Sequence, residues 1–469
     1  MAGADIRPIW EAERWAGLPG MPASRLVPHV EAWFARHPPF SAPHWLCGQE
    51  AAIRALHLAL AAALHGQAPP REAMTLLARR IGANPAYAMA QDNNHCISEA
   101  VGLLVCGLSL DEAAMVQRGA RRLDHAILKL VDADGGFAQP SPAYQRLLLD
   151  TVAVAQWLAV QQGGPRLGSA AKARMAAATI WLHRLTCSQT GSLPRLGHQD
   201  GSCVADLSGC GPDDARGSLE RAARLFCDAS AGWPEDAGCR CLGLPVPTAR
   251  LPVAQDWRGG GYSGLGGGGL RAVLRTGISC DGPLRFRPNH ADLLHLDVWD
   301  GPLNLLRDGG TGAYNPATRW WLTHLQGTAA HNTVEFDGED QMPRAGPFLF
   351  ARWPRLSALA HGVALRDYRG RHHAREVTPL PDGLRVCDAI GGPFRRAVLR
   401  WRLAPGEWRQ LEDGAALGRH RLIVTSAAPV QLRLVQGWES LAYGAVTACL
   451  ILEAETDQPI SLQTDILRD

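Results

Sequence analysis

The sequence predicts an α+β chain in two parts, a helical toroid over residues 1–240 and an antiparallel β-sandwich over residues 241–469. Three observations predict it. Apolar residues recur at three- and four-residue spacing from about residue 28 to 230. Two-residue alternation replaces that period after about residue 245. Between them, near 232–250, lies a stretch rich in Gly, Pro and Cys that reads as a linker.

The helical half breaks into segments around 45–66, 71–82, 95–107, 110–131, 142–162, 168–186 and 217–227. Short joints such as Gly66-Gln67-Ala68-Pro69-Pro70 imply antiparallel neighbours. Several segments are apolar on more than one face, and a second ring of helices would bury the extra face. In the second half, turns are expected at Gly259–Gly261, Gly266–Gly269 and Asp337-Gly338. Strands are expected at Leu294–Trp299, Thr333–Phe336, Leu384–Val386, Val398–Trp401, Leu422–Val424 and Leu432–Val435. Many short strands with no intervening helices point to a sandwich.

The chain has 469 residues, enough for two or three compact units. Its 46% hydrophobic and 20% charged content supplies a core and excludes general disorder. A formal net charge of +2 excludes a strongly basic nucleic-acid footprint. The basic residues are overwhelmingly Arg, whose planar fork pairs with carboxylates and suits an anionic sugar, although a GC-rich genome gives the same bias. No basic stretch followed by an apolar run opens the sequence, so a cytoplasmic protein is expected, with a periplasmic one as the alternative. No run approaches the roughly 20 apolar residues of a membrane span. The 12 Cys are expected as free thiols. Cys203, Cys210, Cys239 and Cys241 share one loop-rich region but lack the CxxC pair of a zinc cluster.

Three groups of residues could carry chemistry. Asp92-Asn93-Asn94-His95 opens a helix; Asn and Asp there serve as ordinary N-caps, and a carboxamide with an imidazole at a helix start also suits a substrate carboxylate. Tyr144 stands where the next long helix begins, in a chain with only 6 Tyr. His290, Asp308 and His331 flank successive strands, and two imidazoles with a carboxylate form an ordinary zinc ligand set.

Taken in order, these stretches resemble the heparinase II/III-like polysaccharide lyase family. The matching segments are His44-Trp45-Leu46-Cys47-Gly48-Gln49-Glu50, Asn93-Asn94-His95 through Glu99-Ala100, Ser141-Pro142-Ala143-Tyr144 and Leu196-Gly197-His198-Gln199-Asp200-Gly201. His290-Ala291-Asp292 to Asp308-Gly309-Gly310-Thr311 and Thr328-Ala329-Ala330-His331-Asn332-Thr333-Val334 follow, and are the most specific. The resemblance covers nearly the whole chain. It implies an incomplete α/α toroid followed by an antiparallel β-sandwich, with a cleft between them. It implies β-elimination at a uronic acid, which needs a neutralised C6 carboxylate, a base for the C5 proton and an acid for the leaving O4.

By position, Asn94 and His95 match the carboxylate-neutralising pair, with His95 also a candidate base. Tyr144 matches the family's catalytic tyrosine, as acid and potentially base. Tyr314 is a further candidate in the cleft, and Gln49, Glu99 and Asp200 are candidate substrate-binding residues. His290, Asp308 and His331 match the metal ligands, and the expected ion is Zn2+, organising the cleft face. The chain departs from the family's pattern at two positions. Pro288 stands where many relatives carry a His, and Leu148 stands where a basic residue is expected one turn after Tyr144; Arg146 would project elsewhere on that helix.

The expected function is cleavage of an anionic, uronic-acid-containing polysaccharide or oligosaccharide, in the metabolism of a bacterial surface polymer, by a protein that could form a homo-oligomer. Two alternatives stand beside it. One is a non-catalytic glycan-binding protein on the same fold. The other is a glycoside hydrolase, for which Glu50, Glu99 and Asp200 are the candidate carboxylates.

Overall fold

The computed structural model describes residues 5–41, 43–279, 282–283 and 286–469. The helices run α1 (Arg7–Ala12), α2 (Ala23–Arg36), α3 (Gly48–Leu64), α4 (Arg71–Ala83), α5 (Pro85–Gln91), α6 (Asn94–Leu110), α7 (Ala113–Leu130), α8 (Pro142–Gln161), α9 (Ser169–Leu185), α10 (Arg216–Ala222) and α11 (Ala237–Cys241). α3 is buried from Gly48 to Ala62, and α6 and α8 are buried along most of their length. α7 buries a single stripe at Gly119, Leu123, Ala126, Ile127 and Leu130. This inner and outer division explains why some helices are apolar all round and others on one face. α3 packs on α4, α6 and α8, α6 on α7, and α8 on α9 and α10, giving an incomplete α/α toroid.

The expected helix at 45–66 starts later, at Gly48, after a 3-10 turn over Pro43–Trp45. The periodicity understated the N-terminal end: α2 carries Pro28 inside it, which breaks the usual pattern of a helical sequence. The short α1 and α5 were not expected either.

The second half is antiparallel throughout its named sheets. A five-stranded sheet uses Trp257–Gly259, Tyr262–Gly267, Leu270–Arg275, Leu296–Asp300 and Leu303–Leu306. A four-stranded sheet uses Val334–Phe336, Ala397–Arg402, Gln431–Glu439 and Thr447–Thr456, and a bridge between Leu306 and Leu403 links the two. The opposing eight-stranded sheet is centred on Gly383–Gly391 and Ile460–Arg468. Leu296, Val298, Val334, Leu399 and Trp401 from one layer meet Val386, Ile390, Leu422 and Ile466 from the other, which is a sandwich core. Asp337 and Gly338 both take positive φ, as a tight hairpin turn requires.

Two expectations are corrected here. The strand expected from Leu294 begins at Leu296, because Leu294 is left-handed with φ 64°. A helix, α12 (Trp320–Leu325), also interrupts the strand half. Among the described residues, no helix is long and apolar enough to cross a membrane.

The two halves are welded rather than tethered. Trp181 of α9 donates from Nε1 to the Gly259 carbonyl at 3.0 Å and packs edge-on against Tyr262. Gly260, at φ 61°, passes so close that a Cβ there would lie 2.4 Å from that indole nitrogen. One continuous core therefore spans the toroid and the first strands, taking in Trp257, Tyr262 and Val273.

Candidate active site

A cavity of about 720 Å³ opens where the helical half meets the sandwich. Its walls include Gln49, Asn94, His95, Tyr144, Asp200 and Tyr314, so the structure gathers six of the residues named from the sequence. Glu99 is not among them. It lies one turn deeper on α6, where its carboxyl abuts Gly48 at the start of α3, and burial pushes it up to about 7.

Local capping places the helix-start residues. Asn93 caps α6, its side chain accepting from the His95 amide at 3.0 Å. That leaves Asn94 and His95 in the first turn, where the helix dipole favours an anion. The Asn94 carboxamide donates to Gln49 Oε1 at 2.7 Å, and its backbone amide donates to Gln139 Oε1 at 2.9 Å. His95 Nδ1 lies 3.6 Å from Cys47 Sγ. Burial lowers the imidazole to about 4, so it is neutral near pH 7. Burial likewise pushes the Cys47 thiol up to about 11, so its proton stays on sulfur.

Ser141 caps α8 by accepting from the Tyr144 amide, and donates its own hydroxyl proton to the His198 carbonyl. This ties the start of α8 to the extended segment 196–203. Gly197 makes the approach possible: at φ 64°, a Cβ there would lie 2.3 Å from the Pro140 oxygen. The Tyr144 hydroxyl then donates to Asp200 Oδ2 at 2.8 Å and lies 3.0 Å from the Tyr314 hydroxyl. Burial and the Asp200 carboxylate hold the phenol of Tyr144 well above its usual range. Burial works against ionised Asp200, yet Arg7, donating to the same oxygen at 2.7 Å, outweighs it and holds the carboxyl at about 2.

Four contributors escaped the sequence reading. Arg7 anchors Asp200, and Arg14 forks onto Glu50 at 2.6 and 2.8 Å. Asn289 lines the cavity with a buried Nδ2 that has no hydrogen-bond partner. His198 stacks edge-on with both Tyr314 and His290 at centroid distances of 5.3 and 5.2 Å. Only His198 had a sequence signal, its place in the Leu196–Gly201 run. Arg146 turns away from the cavity to Ser218 and the Pro212 carbonyl, and Leu148 is core.

Behind His198, on the sandwich side, lie His290, Asp308 and His331. One ligand atom from each falls within 4.8 Å of the others, and all three side chains are buried. It is the one such convergence of His, Cys, Asp or Glu among the described residues. The cysteines at 203, 210, 239 and 241 form no such group. Asp308 Oδ2 accepts from His331 Nδ1 at 2.8 Å. Both nitrogens of His290 and Nε2 of His331 are buried without partners, an uncompensated cost unless something binds them. Burial keeps His290 neutral, with lone pairs available. Two imidazoles and a carboxylate with orphaned nitrogens fit a zinc-type cation.

The fold is shared with solved structures of heparinase III and of heparan sulfate and chondroitin lyases. The chain is similar to the crystal structure of heparinase III, with TM-score 0.71 and 15% identity over 93% of this chain and 72% of that one. It is also similar to the heparan sulfate lyase of Pedobacter heparinus, with TM-score 0.59 and 15% identity over 98% and 75% of the two chains. For the chondroitin AC lyase of Streptomyces coelicolor A3, the TM-score is 0.55 at 12% identity over 99% and 83%. Residues 249–463, most of the sandwich half, match the model of the heparinase II/III-like C-terminal domain. No curated protein sequence matches the chain.

Proposed function

We propose that the chain is a lyase that cleaves a uronic-acid-containing polysaccharide or oligosaccharide by β-elimination. The observation that carries this reading is the pairing, in one cavity, of a neutral imidazole at His95 with a protonated phenol at Tyr144. Elimination needs a base and an acid, and these two groups are held in those forms. The carboxamides of Asn94, Gln49 and Asn289 supply neutral donors for the substrate carboxylate, and the α6 dipole favours its charge. His95 Nε2 has no partner among the described residues and is assigned as the base for the C5 proton. Tyr144 is assigned as the acid that protonates O4, because Asp200 is too acidic to accept its proton lastingly. Tyr314 holds the Tyr144 hydroxyl from the other side.

The same electrostatics disfavour hydrolysis. A glycosidase needs one cleft carboxyl held protonated. Asp200 is locked ionised by Arg7, and Arg14 outweighs burial to keep Glu50 ionised. Glu99, the raised carboxyl, is off the cavity wall. The names of the similar structures, all lyases of acidic polysaccharides, support the same direction. The test is incubation with a panel of uronate polymers while following absorbance of the unsaturated product. New reducing ends without that chromophore on every polymer would overturn the reading.

His290, Asp308 and His331 would hold the metal. A bound cation would supply charge and rigidity behind His198, fixing the sandwich face of the cleft. Purified protein is expected to carry about one zinc per chain by elemental analysis, and His331→Ala to lose most of it. Zinc content unchanged in that variant would remove the trio as ligands.

A further inference from the structure

The segment 196–203 has a second cavity on its far side. It measures about 310 Å³, at the small end of ligand pockets. His198 and Asp200 of this segment line the cleft, and Ser202 accepts from Arg7. Gln199, Gly201, Ser202 and Cys203 line the second cavity. Three guanidinium groups converge there from three elements: Arg146 of α8, Arg195 of the preceding loop and Arg307 of the sandwich.

Two of these charges are answered and one is not. Arg307 forks onto Glu439, and Arg146 donates to Ser218 with Asp150 3.8 Å away. Arg195 spends Nε on the Leu441 carbonyl at 3.2 Å. Among the described residues it has no carboxylate within ion-pair distance, and its outer N–H pair has no partner. Asp213 is at the rim, too exposed to neutralise it fully. Burial and the neighbouring Arg307 push Arg195 below its usual range, as expected for a cation short of counter-charge.

We propose that this second cavity binds a small oxyanion, taken by the free fork of Arg195 with Arg146 and Gln199 beside it. The occupant is a sulfate, phosphate or carboxylate, free or carried on an acidic sugar. A planar fork donates two parallel hydrogen bonds to such a group, and a half-buried setting strengthens them. The site is distinct from the cleft but shares its wall, so an occupant braces the backbone that carries Asp200.

The test reads binding rather than turnover, so it stands apart from the lyase assignment. Sodium sulfate and sodium glucuronate are titrated against sodium chloride at matched ionic strength, by calorimetry and by the rate of Cys203 alkylation mapped by mass. Cys203 is only partly exposed and lines the cavity, so an occupant shields it. Sulfate or glucuronate is expected to bind saturably and slow Cys203 labelling several-fold, with chloride inert. Arg195→Gln is expected to weaken binding at least tenfold, and Arg195→Lys to keep part of it. Tighter binding of glucuronate than sulfate assigns the site to a sugar acid, and the reverse order to a free ion. Labelling slowed equally by chloride, or binding unchanged in Arg195→Gln, overturns the proposal. If Arg195→Gln does not fold, the wild-type labelling comparison decides alone.

Discussion

Replacing Tyr144 by Phe is expected to lower turnover on a uronate polymer by about 10²–10⁴-fold, the range contributed by one positioned proton donor. The change removes only the hydroxyl; the ring stays in the toroid core. Asp200 keeps Arg7 and the Ser202 amide as partners, so folding should be little affected. KM should move little, because the carboxamides and the α6 N-terminus that face the substrate carboxylate are untouched. Tyr314→Phe should cost far less, since that hydroxyl supports Tyr144 rather than transferring the proton. The acid limb of activity should lie near the His95 value of about 4 rather than at the 6.5 of a solvated imidazole, since protonation removes the base. Steady-state kinetics of the unsaturated product across pH measure all of this. Wild-type turnover in Tyr144→Phe would take the phenol out of the chemistry.

Arg14→Ala is expected to destabilise the fold by roughly 3–5 kcal/mol, the cost of leaving one member of a buried ion pair alone. Arg14 and Glu50 are both about 1% exposed, and the guanidinium forks onto the carboxylate. Removing Arg14 strands Glu50 in a site where burial already favours its neutral form. The double variant Arg14→Met, Glu50→Leu should recover much of the loss, because two apolar side chains of similar volume avoid the desolvation cost. Denaturant titration distinguishes the cases. Equal losses in the single and double variants would mean that packing, not charge, carries the effect. The pair also sets an acid limit. Glu50 is held ionised in the folded state, so its contribution is present above the unfolded carboxyl value and lost as pH falls through the folded one.

The sequence displays what is local. Three- and four-residue spacing places α4 and α8 almost to the residue, and Asp337-Gly338 marks its own hairpin. Local cap chemistry likewise marks the starts of α6 and α8, and with them Asn94, His95 and Tyr144. What it hides is separated in sequence. Nothing near Arg7 announces Asp200, 193 residues on, and nothing near Arg14 announces Glu50. Pairing of this kind leaves no periodic trace, and neither does depth. Glu99 follows His95 by one helical turn, so spacing puts them on one face, but only the packing of α3 against α6 shows that Glu99 sits behind the cavity wall. Asn289 is conspicuous only because its amide goes unanswered once the wall is built.

The distances between partners in the cleft bear on how the protein comes to exist. Asp5 accepts a hydrogen bond from Tyr443, 438 residues away, and Tyr443 in turn receives the Tyr314 amide at 2.8 Å. Contacts of that span close late in folding, since the entropy of joining remote segments must be met before they form. During synthesis the helical ring can condense while the strands are still being made, yet its inner rim stays open to water until residue 443 arrives. The cleft wall is therefore among the last parts of the molecule to close, since its bonds join the first residues to the last strands.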